Sequence, residues 1–169
     1  MGVSTDGQIC FGVAFPEGFE FPWDAEQFGD DFEKWWREAV CGYKPPFQIY
    51  DEHGEYIGGK KPSQSRIDEF IEHRSKFEKQ HPVPVKLVNY CSHECPMYII
   101  AVPSSCLENS RGYPEEIQPG NLKVSEADVE SLKKFLKDHV PVKDEDLEYA
   151  DKRFDKTMTP KWYLSSYWG

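Results

Sequence analysis

The most apolar run in the chain is Met97-Tyr98-Ile99-Ile100-Ala101-Val102, six residues set between Pro96 and Pro103. Six residues suit a strand and fall well short of an ordinary helix. A strand with no polar alternation belongs in the interior of a sheet, with neighbours on both edges. The chain just before it, Val85 to Tyr90, supplies one such neighbour, and Cys91 to Pro96 then forms the turn of a β-hairpin with Ser92-His93-Glu94 near its tip.

Other segments fill in the rest of the sheet. Ile9 to Phe15 reads as the first strand, closed by Pro16-Glu17-Gly18. Phe47 to Tyr50 reads as another, with Asp51-Glu52-His53-Gly54 as a turn and Glu55-Tyr56-Ile57 returning. Ser104 to Leu107 starts a short edge strand. The aromatic C-terminal segment, residues 160–169, is expected to pack back on the domain, with Trp162 to Leu164 as a strand or strap.

Three helices are expected. One starts at Asp30 or Asp31, where Asp30 and Glu33 have capping-box spacing, and carries the stripe Phe32, Trp35, Trp36, Ala39, Val40 up to Gly42. A second follows Ser63 or Ser65, with Ser65 and Asp68 as the better box, and stops at His81-Pro82. A third follows Ser125, with Asp128 three later and the stripe Val129, Leu132, Phe135, Leu136. Its acids come first and its lysines last, as the helix dipole favours. Lys143 to Lys156 reads as a short helix or a solvated, charged face.

The fold class that follows is α+β. One domain spans residues 1–169, with an antiparallel or mixed β-sheet covered by about three α-helices as a single layer pair. The order strand 47–50, helix 63–79, strand 85–90 leaves a parallel βαβ unit open. The 11 Phe, 9 Tyr and 5 Trp make the core aromatic-rich. Phe19-Glu20-Phe21-Pro22-Trp23 is a loop whose rings should lie across a helix or sheet surface.

Charge narrows the function. The formal net charge is -10, and residues 1–60 hold 12 acids against 4 bases. Phosphate backbones are repelled by such a surface, so no direct nucleic-acid partner is expected. No apolar run reaches membrane-spanning length, and the N-terminus lacks a basic region followed by an apolar one. No membrane partner is expected, and the expected location is cytoplasmic. The five cysteines are then expected as free thiols in a reducing compartment.

The densest cluster of chemistry-bearing residues is Cys91, His93, Glu94 and Cys95, with Cys106 able to join if its strand lies alongside. A zinc site needs three or four such ligands in a tetrahedron, and a second Cys-x-x-Cys pair is missing. A thiol nucleophile needs a base, and Cys91 and His93 share one side of an extended strand. Gly58-Gly59-Lys60-Lys61 lacks the spacing of a phosphate loop, and no Gly-x-Ser-x-Gly elbow occurs. Neither enzyme activity nor a cofactor or metal is expected. Cys91, His93, Cys95 and Cys106 stand as the alternative, a small thiol- or metal-dependent protein.

The leading expectation is a small acidic protein-binding module, an inhibitor or adaptor, that engages the basic surface of another protein. Rows of acids could imitate the charge of a nucleic acid, and exposed aromatics would anchor the contact. The residues assigned to that surface are Asp30, Asp31, Trp35, Asp144, Glu145, Asp146 and Trp162. A third expectation is a structural subunit of a homo-oligomeric assembly, whose aromatic segments bury against copies of themselves.

Overall fold

The structure is a computed structural model that describes residues 5–29, 31–49, 56, 61–92, 96–109, 116–140 and 157–168. The fold is mixed α+β, and the described residues form three helices and a five-stranded sheet that is antiparallel except for one short pairing. The chain forms two compact units. One comprises Met1–Ala25 and Pro84–Gly169, and the other Glu26–Val83.

The first unit is built around β1, Thr5–Ala14. Strand β5, Lys161–Trp168, runs antiparallel along one edge of it, from Thr5↔Trp168 to Gly12↔Lys161. Two shorter strands share the other edge. β4, Leu107–Asn109, takes Gly7 to Ile9, and β3, Pro96–Ala101, takes Gly12 to Ala14. Strand β2, Lys86–Ser92, lies on the far side of β3. The apolar run seen in the sequence therefore has a neighbour on each edge. Ile99 and Ile100 are consecutive and both fully buried, so β3 is covered on both faces.

The pairings close into a ring, because β2 also meets β5 in parallel at Cys91↔Tyr167 and Ser92↔Trp168. Three reversals of direction around four strands cannot be met by straight strands. One of them must turn, and Cys91, at φ +81°, marks where β2 does so. A side chain other than glycine is strained in that region of backbone space. Gly12 sits where β1 is flanked by both β3 and β5. A Cβ there would run into the Ile100 carbonyl.

A gap in the ladder falls between β4 and β3. Ser105, buried on a short 3-10 turn (Pro103–Ser105), fills it: Oγ accepts from Phe11 N at 2.9 Å and donates to the Val102 carbonyl at 2.7 Å. This corrects the expected edge strand from Ser104, since Ser104 and Ser105 belong to the turn and the strand begins at Leu107.

The Phe19 to Trp23 loop folds its rings inward. Phe15, Phe19 and Phe21 pack mutually with centroids 4.7–5.0 Å apart, and Phe21 stacks on the 1% exposed Trp23 at 4.5 Å. Helix α3, Glu126–His139, belongs to the same unit. Ser125 Oγ accepts from Asp128 N, and Leu132, Phe135 and Leu136 are buried, as the stripe requires. The expected helix within Lys143 to Lys156 lies outside the described residues.

The second unit holds α1, Phe32–Trp35, continued by a π-helical turn over Trp36–Val40, and α2, Gln64–Gln80. Asp31, not Asp30, caps α1, its Oδ1 accepting from Lys34 N at 2.8 Å. Gly42 at φ +70° reverses the chain so that Tyr43 N reaches the Arg37 carbonyl. Two expectations are corrected here. Ser63 precedes α2 and Ser65 lies inside it, so the Ser65 box does not form; Gln64 Nε2 donates to Asp68 instead. Phe47 to Ile49 is not a strand. The Phe47 ring lies against Phe70 and under the Arg66 guanidinium, which draws the segment onto α2. The turn at 51–54 lies outside the described residues.

Candidate functional site

The adjacent tryptophans of the first helix separate. Successive helical residues point about 100° apart, so a single apolar stripe cannot hold both. Trp35 turns inward, 5% exposed, and stacks with Phe32 at 5.9 Å. Trp36 is only half-buried and lines a pocket of about 210 Å³ within the second unit, with Glu33, Arg37, Phe77, Glu78, His81 and Val83.

The pocket is built by the π-helical turn and the C-terminal end of α2. A π turn widens the helix by one residue and is often found where a helix surface has a task. Cys41 N donating to the Trp36 carbonyl at 3.0 Å is its signature. One wall is a stack, with the His81 ring over Phe77 at 4.2 Å and an 18° tilt. Trp36 Nε1 donates to the His81 carbonyl at 3.3 Å, joining that wall to the indole.

Charges frame the opening. Arg37 Nη1 donates to Glu78 Oε1 at 3.1 Å, and Arg74 Nε reaches the same oxygen at 3.3 Å. Glu78 is thus neutralised from two sides, whereas Glu33 is exposed. Arg37 Nε is buried and makes no hydrogen bond among the described residues. Behind it, Tyr43 packs on Phe77 at 4.9 Å, and burial pushes its phenol above the ordinary value. Chemically, the arrangement offers aromatic faces and a carboxylate. These suit a cationic side chain of a partner.

The structure distributes the residues singled out from the sequence. Asp31 is the cap of α1 and Trp35 is core. Trp162 is 38% exposed on β5, edge-on to Phe11 at 5.5 Å. Asp30, Asp144, Glu145 and Asp146 lie outside the described residues, as do His93 and Cys95. Cys91 occupies the kink of β2, and Cys106 packs against Cys10. Among the described residues no group of His, Cys, Asp and Glu could hold a metal ion, and no helix is long and apolar enough to cross a membrane.

Sequence reasoning held either Trp35 or Trp36 as a surface anchor and assigned Trp35 to the binding surface; it missed Arg37, Phe77 and His81. The adjacency of two tryptophans on a helix was the available signal. Comparison with family models, with curated proteins and with solved structures finds no match.

Proposed function

We propose that this chain is a protein-binding module that takes a basic segment of a partner into the Trp36 pocket. The observation that carries this reading is the half-exposed indole of Trp36 beside the exposed Glu33 carboxylate, in a chain of net charge -10. A lysine or arginine side chain of the partner lies over the ring face with its charge toward Glu33. The excess of acids over residues 1–60 speeds the encounter and makes it salt-dependent. An inhibitor or adaptor role fits such a module.

The test is native mass spectrometry of the protein isolated gently from its source cells. A retained basic protein, lost as salt rises and lost in Trp36→Ala, supports the reading. A bare monomer at every salt concentration refutes it.

A second reading rests on β5. Trp162 and Leu164 stand two apart on the same face and are 38% and 81% exposed. A homo-oligomer would bury them against a copy of the chain. Its mark is a mass that rises with protein concentration and returns to that of the monomer in Leu164→Glu.

A further inference from the structure

Two cysteines far apart in the chain meet in the first unit. β1 and β4 pair as Gly7↔Asn109, Gln8↔Glu108 and Ile9↔Leu107. One step further along the same register sets Cys10 opposite Cys106. Residues directly opposite in an antiparallel ladder have Cα atoms about 4.5 or 5.5 Å apart. Both spacings fall within the roughly 4.4–6.8 Å that a disulfide spans. The side chains confirm the juxtaposition. Cys106 packs on the cluster of Cys10, Val88, Ile99 and Ala101, its sulfur close enough to act on that of Cys10, and as a thiol its Sγ donates to the Val102 carbonyl at 3.5 Å. Both are free thiols here.

The two are not equivalent. Cys10 is fully buried, whereas Cys106 is half-buried. Lys86 brings its ammonium to this end of the sheet, held by Glu108 at 2.6 Å. The interaction between the sulfurs, then burial, hold the proton on Cys10. The same interaction, helped by Lys86 and Ser105, draws Cys106 below the ordinary thiol value against the effect of its burial. The register thus sets a buried thiol, held protonated, beside a more accessible and more acidic one. That is the arrangement of a reactive cysteine beside a resolving one.

We propose that Cys106 is a modification site for hydroperoxides and that Cys10 resolves it to an intramolecular disulfide. The Cys106 thiolate attacks the peroxide O–O bond, an S–O bond forms, and the distal oxygen leaves as water or an alcohol after taking a proton. Sulfur gives up two electrons to oxygen. The Cys10 thiol then attacks the sulfenic sulfur. An S–S bond forms, the S–O bond breaks, and the departing hydroxide leaves with the Cys10 proton as water. The product clamps β1 to the start of β4 beside Ser105. This site belongs to the first unit, and the inference does not depend on the reading of the Trp36 pocket.

The experiment treats the folded full-length protein with hydrogen peroxide, then denatures it, blocks free thiols and maps the peptides. The expected result is a linked Cys10–Cys106 peptide and the loss of two hydrogens from the intact mass. Cys106→Ser abolishes both. Cys10→Ser stops one step earlier, leaving a sulfenic acid at Cys106 that dimedone captures. Lys86→Met slows alkylation of Cys106 by about threefold or more. The proposal is overturned if the wild-type protein yields no linked peptide while Cys41, Cys91 or Cys95 is oxidised. It is overturned equally if Cys106→Ser still loses two hydrogens at the same rate. The wild-type map decides on its own should either variant fail to fold.

Discussion

The two units bury their side chains to different depths. In the first, Cys10, Ile99, Ile100, Leu132 and Trp23 are at or below 1% exposure, and strands, loop rings and α3 all contribute. In the second, the buried hydrophobics Phe32, Trp35, Tyr43 and Ile49 keep 5–8% exposure, and the 17 residues of α2 contribute none. Rings and ion pairs hold α2 in place of a deep apolar face: Phe77 against Tyr43, Phe47 against Phe70, Arg37 to Glu78. The difference shows where each unit's specificity resides. Dense packing sets one geometry and tolerates little change. A shallow, ring-lined unit leaves side chains at the surface, and the pocket is found there.

The sharpest way to break this contrast is a pair of truncations. Trp23→Ala is expected to cost about 4 kcal/mol, because a buried indole leaves a cavity the surrounding rings cannot close. Phe77→Ala, from a half-buried site, is expected to cost less than half of that. Equal losses in urea unfolding would show that the second unit is as tightly packed as the first.

Next in size is Gly12→Ala, at about 3 kcal/mol, since the new methyl meets the backbone of Ile100 with strands on both sides. A thermal midpoint unchanged by this substitution would mean that β1 and β3 can part without cost. Ser105→Ala follows at about 2 kcal/mol, because it strands the Phe11 N–H inside the sheet. Hydrogen exchange at Phe11 should quicken with it, and persistence of the protection would place another acceptor there.

The smallest effect belongs to the second unit. Glu78→Gln should cost about 1–2 kcal/mol, between a surface ion pair and a buried one, since Arg37 is 12% exposed and Glu78 43%. Added salt should narrow the difference from wild type, as measured by denaturant titration at low and high ionic strength. A loss independent of salt would assign the effect to packing.

Much of the sheet was legible because its strands are short apolar runs bounded by proline and glycine, as at 96–103. Helix α3 was legible because cap, stripe and charge order agree over 125–139. The segment Phe47 to Ile49 was misread because a β-branched and aromatic run carries no information about the rings waiting on α2. Ser105 was invisible for another reason: its task exists only where β4 ends and β3 begins along a third strand. The separation of Trp35 from Trp36 was implicit in helical geometry, yet which one faces out depends on what packs behind. Cys10 and Cys106 were both counted as cysteines, but their meeting is a property of register.

The pairing of β5 with β1 also bears on how the chain comes to be folded. Cys10 finds Tyr163 across about 150 residues of sequence, a separation that raises contact order and slows folding. During synthesis β1 is made early and stays unzipped along one side until Lys161–Trp168 has left the ribosome. For that interval it is a sticky, hydrogen-bond-hungry ribbon, open to pairing with other nascent chains. Arrival of the last strand is therefore the moment at which this chain stops being a hazard to its neighbours.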